Sequence, residues 1–117
     1  MTRPAVATVM SARPWEGELA RMATTGARVR LVARITDPID LAVQLSQTDV
    51  VVIGSETPWV EPWLFETAAT FGTESIGIHP TGDAPGARLV SHATLHFDEE
   101  TPTERLIAAA ALLGVRR

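Results

Sequence analysis

Apolar residues along this chain fall into short runs that alternate with stretches of helical spacing, and the densest run lies near the middle. Val50-Val-Val-Ile53 is a block of four β-branched residues between Asp49 and Gly54. A strand with one wet face would alternate with polar residues. This one does not, so it predicts a central strand covered on both faces, as in a parallel sheet. The carboxyl ends of such strands form the working edge of the sheet, which directs attention to Gly54, Ser55 and Glu56.

The flanking patterns supply the other elements. Ala5 to Met10 predicts a first strand. Ser11 to Pro14 reads as a loop, and Trp15 to Thr24 as a helix with apolar positions 15, 19, 20, 22 and 23 that stops before Gly26. Val29 to Ile35 is a strand interleaved with Arg30 and Arg34, which places it nearer the sheet edge. Thr36-Asp-Pro-Ile-Asp40 has the cap, proline and acid of a helix start. The helix it opens runs to about Gln47 and is expected to bury Leu41, Ala42 and Leu45.

After the central strand, Pro58 and Pro62 bracket Trp59 and Val60. A third helix then runs to about Phe71, with Leu64, Phe65 and Ala68 inward and Gly72 as its stop. Ser75 to His79 predicts a fourth strand. Pro80 to Gly86 is too rich in glycine and proline for a full helix, leaving a turn or two near Ala87 to His92. Thr94 to Phe97 is a fifth strand. Thr101-Pro-Thr-Glu104 reads as a capping box opening a helix from Leu106 to about Leu113, made almost wholly of Ala, Leu and Ile. The order is β-α-β-α-β-α-β-(short)-β-α, a doubly wound α/β domain with five parallel strands and a shortened fourth helix.

Composition narrows the chemistry. With 117 residues, 45% apolar and 21% charged, the chain reads as one globular domain spanning 1–117. No apolar run approaches the roughly 20 residues of a membrane helix, and the N-terminus lacks a signal-peptide core. A cytoplasmic location is therefore expected, with no direct membrane insertion. The absence of cysteine excludes disulfides, thiolate metal sites and thiol nucleophiles. All ten basic residues are arginine, which removes Schiff-base chemistry and a P-loop lysine. A net charge of −4 argues against nucleic acid as a partner. Arg-only, Ala-rich usage resembles that of GC-rich genomes, so an actinobacterial source is expected.

The element order and the frame around the central strand resemble the receiver (CheY-like, flavodoxin-like) domain of two-component signalling, a three-layer sandwich. Receivers end the third strand on a phosphoacceptor aspartate and carry a proline four residues later. In that frame Gly54 stands at the acceptor position and Pro58 at the proline. The end of the first strand, where receivers hold Mg²⁺ with an acidic pair, reads Val9-Met10-Ser11-Ala12. The fourth strand ends at His79 rather than Thr or Ser, and Phe97-Asp98 replaces Lys-Pro at the fifth. The resemblance thus implies a pseudo-receiver without catalysis, cofactor or metal, in which Glu56 could imitate a permanent negative charge.

Ala- and Arg-rich pseudo-receivers are similar to the N-terminal domain of TadZ/CpaE-type Flp pilus-assembly ATPases and of actinobacterial, MinD-like septum-site-determining proteins. That likeness implies an interaction or localisation module, self-associating or docking another protein, with an ATPase domain following it. The expected partner is a protein or a second copy, as a homodimer.

Each candidate site has a plainer alternative. Ser55 and Glu56 could bind a ligand, or could be loop chemistry leading into Pro58. A small-molecule or nucleotide-binding flavodoxin-like domain would use Ser55, Glu56 and His79 to Asp83. His79, His92 and His96, with Asp83 and Asp98, fit no standard metal spacing, and His96 reads as core or edge packing. No G-x-S-x-G elbow supports a hydrolase. Trp15, Trp59 and Trp63 all fall at the carboxyl edge. One of them could be a lid over the vacated pocket or an interaction anchor, and Trp59 and Trp63, four apart, could share a helix face. The plain last helix could cover a second chain.

Overall fold

A computed structural model describes residues 3–115 and gives a five-stranded parallel sheet in the order β2-β1-β3-β4-β5. The strands are β1 (Ala5–Val9), β2 (Arg30–Ile35), β3 (Val50–Gly54), β4 (Glu74–His79) and β5 (Leu95–Asp98). β3 is central: Val50 to Val52 pair with Val6 to Thr8 on one side, and Val50 to Gly54 pair with Glu74 to Ile78 on the other. All five of its residues are buried, as its unbroken apolar run requires. β2, with its interleaved arginines, forms one edge and β5 the other.

Two hydrophobic layers sandwich this sheet. Helices α1 (Pro14–Thr25) and α5 (Thr103–Val115) pack with Val6, Val50, Val52, Ile76 and Ile78. Helices α2 (Pro38–Gln44), α3 (Pro62–Thr70) and α4 (Ala84–Val90) cover Ala7, Val9, Val51 and Ile53. Alternate residues of each central strand therefore feed opposite cores.

Helix starts follow local chemistry. Proline stands in the first turn of α1, α2, α3 and α4, where its missing N–H costs nothing. The Asp37 carboxylate accepts the Asp40 amide at 2.8 Å and caps α2. Gly72, at φ 75°, provides the left-handed turn that ends α3.

Four details differ from the sequence expectation. α2 and the 3₁₀ turn over Leu45–Gln47 that follows it bury Leu41 and Leu45, four apart on one face, but Ala42, about a third of a turn round from Leu41, is exposed. α4 begins at Ala84, three residues early, since Pro85 and Gly86 sit in its first turn where proline is tolerated. α5 starts at Thr103, with the Pro102 carbonyl taking the Arg105 and Leu106 amides. Trp59 precedes α3, so it shares no helix face with Trp63.

Candidate functional site

At the carboxyl edge of the sheet, three loops meet around Gly54. The chain leaves β3 with the Ser55 amide bonded to the Ile78 carbonyl at 2.8 Å, then turns so that the Thr57 amide reaches back to Gly54. That turn folds the Glu56 side chain over the end of its own strand. A Cβ placed on Gly54 would lie 2.5 and 2.6 Å from the two Glu56 carboxylate oxygens and 2.7 Å from Cζ2 of Trp15. The carboxylate and the indole thus fill the volume that a side chain at position 54 would enter.

The first loop holds this carboxylate in place. The Ser11 hydroxyl and the Trp15 indole N–H, the latter at 3.1 Å, both donate to Glu56 Oε1. Trp15 opens α1 and is 5% exposed, its ring wedged between the core and the Gly54 turn. Oε2 of Glu56 and Oγ of Ser55 are buried with no hydrogen-bond partner among the described residues.

Arg13, two residues past Ser11, reaches across the edge and forms a two-pronged ion pair with Glu99, just beyond β5. The hydrogen bond and charge of Arg13 hold the Glu99 carboxyl below the usual carboxylate range. One loop therefore clasps the two that follow β3 and β5. Between the first two lies an open groove of about 460 Å³ lined by Met10, Ser11, Arg13, Glu56, Pro58 and Trp59.

Of the other expected site residues only Asp83 approaches this turn: its Oδ2 and the Ser55 Oγ lie 2.4 and 2.7 Å from where a Gly86 side chain would begin. His79 ends β4, with Nδ1 3.0 Å from the Pro80 carbonyl oxygen. It lines a separate shallow cavity with Gly82, Asp83, Ala84 and Ala87. Trp59 is half-buried against the core under α3, whereas Trp63 is 48% exposed and donates to the Glu61 carboxylate at 2.6 Å. Pro58 is exposed. His92 and His96 are exposed, the latter on edge strand β5. Among the described residues no three His, Asp or Glu side chains could share a metal ion.

No family model matches the chain, and no curated protein matches it in sequence. Solved structures do match it. The signal receiver domain of the response regulator NarL from Mycobacterium tuberculosis superposes with a TM-score of 0.81 over 100% of both chains, at 10% identity. The receiver domain of a LuxO repressor protein from Vibrio parahaemolyticus gives 0.74 at 15% identity, over 97% of this chain and 92% of that one. A protein from Burkholderia pseudomallei described as pilus assembly-related gives 0.70 at 11% identity, over 98% and 91%.

The fold is that of a receiver domain. At such identities the likeness is one of fold, and the side chains must be judged on their own chemistry.

Receiver chemistry needs a bridging cation, and the donor set here does not suit one. A divalent cation takes several oxygen ligands, carboxylates foremost. β1 ends in Val9 and Met10, and position 54 has no side chain. Glu56 accepts two bonds on Oε1 with the Arg13 charge nearby, which leaves its Oε2 and the Ser55 hydroxyl, fewer oxygens than a divalent cation takes.

Two features of the site lay outside the sequence reading. The Arg13–Glu99 clasp spans 86 residues, which no local pattern reveals. The other is Glu16, fully buried on α1. It accepts from the Thr8 hydroxyl at 2.6 Å and is paired with Arg34 on β2. A signal for Glu16 existed: it lies on the same helical face as Leu19, Ala20 and Ala23.

Proposed function

We propose that this domain is a receiver-like interaction module that works without phosphorylation, its carboxyl edge held permanently in one state by Glu56. The observation that carries this reading is the Glu56 carboxylate in the volume of the absent position-54 side chain. Phosphoryl transfer needs an acceptor carboxylate, a cation and a positive group for developing charge. Here the acceptor position is glycine, the carboxylate nearby is committed to Ser11 and Trp15, and Arg13 is committed to Glu99. Trp15 acts as the lid over the vacated pocket.

A fixed negative charge at this place gives partners a constant surface, so regulation would come from what binds rather than from a phosphate. The module is non-enzymatic and acts through protein contact or self-association. The exposed Leu112 and Val115 on α5 supply an apolar surface for a second copy. The likeness in fold to a pilus assembly-related protein supports a TadZ/CpaE- or MinD-like setting, in which the domain positions or regulates an attached ATPase. None of the described helices is long and apolar enough to cross a membrane.

The test is incubation of the domain with Mg²⁺ and acetyl phosphate, or with beryllofluoride. The expected result is no added mass and no change in tryptophan fluorescence or amide spectra. A stoichiometric adduct, or a Mg²⁺-dependent spectral shift, would overturn the reading.

A further inference from the structure

Charge is divided unevenly along this chain. The first 36 residues hold six of the ten arginines but two of the fourteen carboxylates, and the remainder holds four arginines and twelve carboxylates. The first segment is therefore cationic, and the second carries all of the net negative charge.

The fold turns this division into a spatial one. β1, α1 and β2 occupy one end of the sheet, with β2 as its free edge. There the Arg3 guanidinium donates to the carbonyls of Gly26 and Val29 at 3.0 and 3.4 Å, which brings it beside Arg28 and Arg30. All three are exposed, and none has a carboxylate partner among the described residues. At the opposite free edge, β5 runs into Asp98, Glu99 and Glu100, with Glu104 in the first turn of α5. Glu99 is taken by Arg13, which leaves Asp98, Glu100 and Glu104 beside the single Arg105.

These corners cannot neutralise each other within one molecule. The body measures 39 × 28 × 23 Å, whereas the screening length at physiological salt is about 8 Å. Nor does either corner suit a generic partner. A nucleic acid or an anionic bilayer drawn to the arginines would meet a chain of net charge −4, and would leave the carboxylates unanswered. A second copy of the chain answers both corners.

We propose that copies of this chain associate head to tail, the arginine corner at Arg3, Arg28 and Arg30 of one against the carboxylate corner at Asp98, Glu100 and Glu104 of the next. Such a contact joins two different surfaces, so each added copy leaves one corner of each sign free and assembly continues past a dimer. This rests on charge placement alone and is separate from the apolar surface of α5. An α5 dimer would stop at two and tolerate salt.

Sedimentation of the full chain over a concentration series tests the proposal. At an ionic strength of about 0.01 M, where the screening length is about 30 Å, the mean mass is expected to rise with concentration beyond that of a dimer. At about 1 M salt, with a screening length of about 3 Å, the chain should sediment as monomer or as a salt-resistant dimer. R28E/R30E and E100R/E104R should each abolish the low-salt growth, and mixing the two should restore it. Thermal melting checks that both variants fold. If E104R destabilises α5, the salt series on the unaltered chain and R28E/R30E decide.

A chain that stays monomeric at low salt would overturn the proposal. So would growth that survives about 1 M salt or either charge reversal. Binding of duplex DNA or anionic vesicles that R28E/R30E abolishes, with no self-association, would overturn it in favour of an external anion.

Discussion

Glu56 occupies the space that Gly54 leaves empty: both of its carboxylate oxygens lie within 2.6 Å of where a Gly54 side chain would begin. The two positions are therefore coupled, and neither can be read alone. Overpacking a filled site typically costs about 1–3 kcal/mol, so Gly54→Ala should destabilise the fold by about that amount. Glu56→Ala alone leaves the buried Trp15 indole N–H without its acceptor, at about 1–3 kcal/mol. The double variant should cost less than the two separate losses together, because the alanine at 54 then meets only the Trp15 ring and no longer the carboxylate. Urea denaturation of all four proteins measures this coupling. Additive losses would mean that Glu56 does not fill the position-54 volume. Gly54→Asp should be worse than Gly54→Ala, since it adds a second carboxylate to the same space.

Much of the fold was legible because it depends on local pattern. The apolar block at 50–53 could only be a strand covered on both faces, and the arginines in β2 marked an edge. Proline and aspartate fixed the helix starts to within a few residues. The site was legible only in outline. That Gly54, Ser55 and Glu56 end the central strand follows from sequence. That Glu56 turns back over Gly54 depends on the Ser11 and Trp15 side chains, more than 40 positions away. Trp15, Trp59 and Trp63 were alike as sequence symbols, yet the fold separates them into a buried lid, a half-buried wedge and an exposed ring. Such differences arise from packing between distant segments, which periodicity does not encode.

Glu16 shows how far the same limit extends into stability. A carboxylate with no exposure survives in a core only if its oxygens are answered, and here the Thr8 hydroxyl and the Arg34 guanidinium answer them. Arg34 keeps 41% of its side chain exposed, so part of its charge remains solvated. Breaking a fully buried pair costs about 3–5 kcal/mol. Solvent access to Arg34 lowers that, and Arg34→Ala should cost about 2 kcal/mol. Glu16→Leu, which removes the charge and keeps apolar volume, should be milder in the Arg34→Ala background than in the native one. Thermal melts of the two single variants and the double variant provide the comparison. A loss below about 0.5 kcal/mol for Arg34→Ala, the level of an ordinary surface change, would mean that the pair contributes nothing to the fold.

The clasp between Arg13 and Glu99 should leave its mark on the acid limb of stability. Arg13 lowers the Glu99 carboxyl first through the hydrogen bond and, more weakly, through its charge, with smaller help from the Thr81 amide and His79. The folded value thus lies below the unfolded one, which is about 4.3 for glutamate. A group shifted in this direction contributes its full stabilisation above the unfolded value and loses it as pH falls through the folded value. Arg13→Gln removes the largest cause of the shift. Its melting temperature should fall short of the native one near pH 7, and the gap should narrow as the buffer is taken below about pH 4. Melting curves of both proteins across that range check this. A gap that stays constant down to the acid limit would mean that the ion pair does not hold the β1–α1 and β5–α5 loops together.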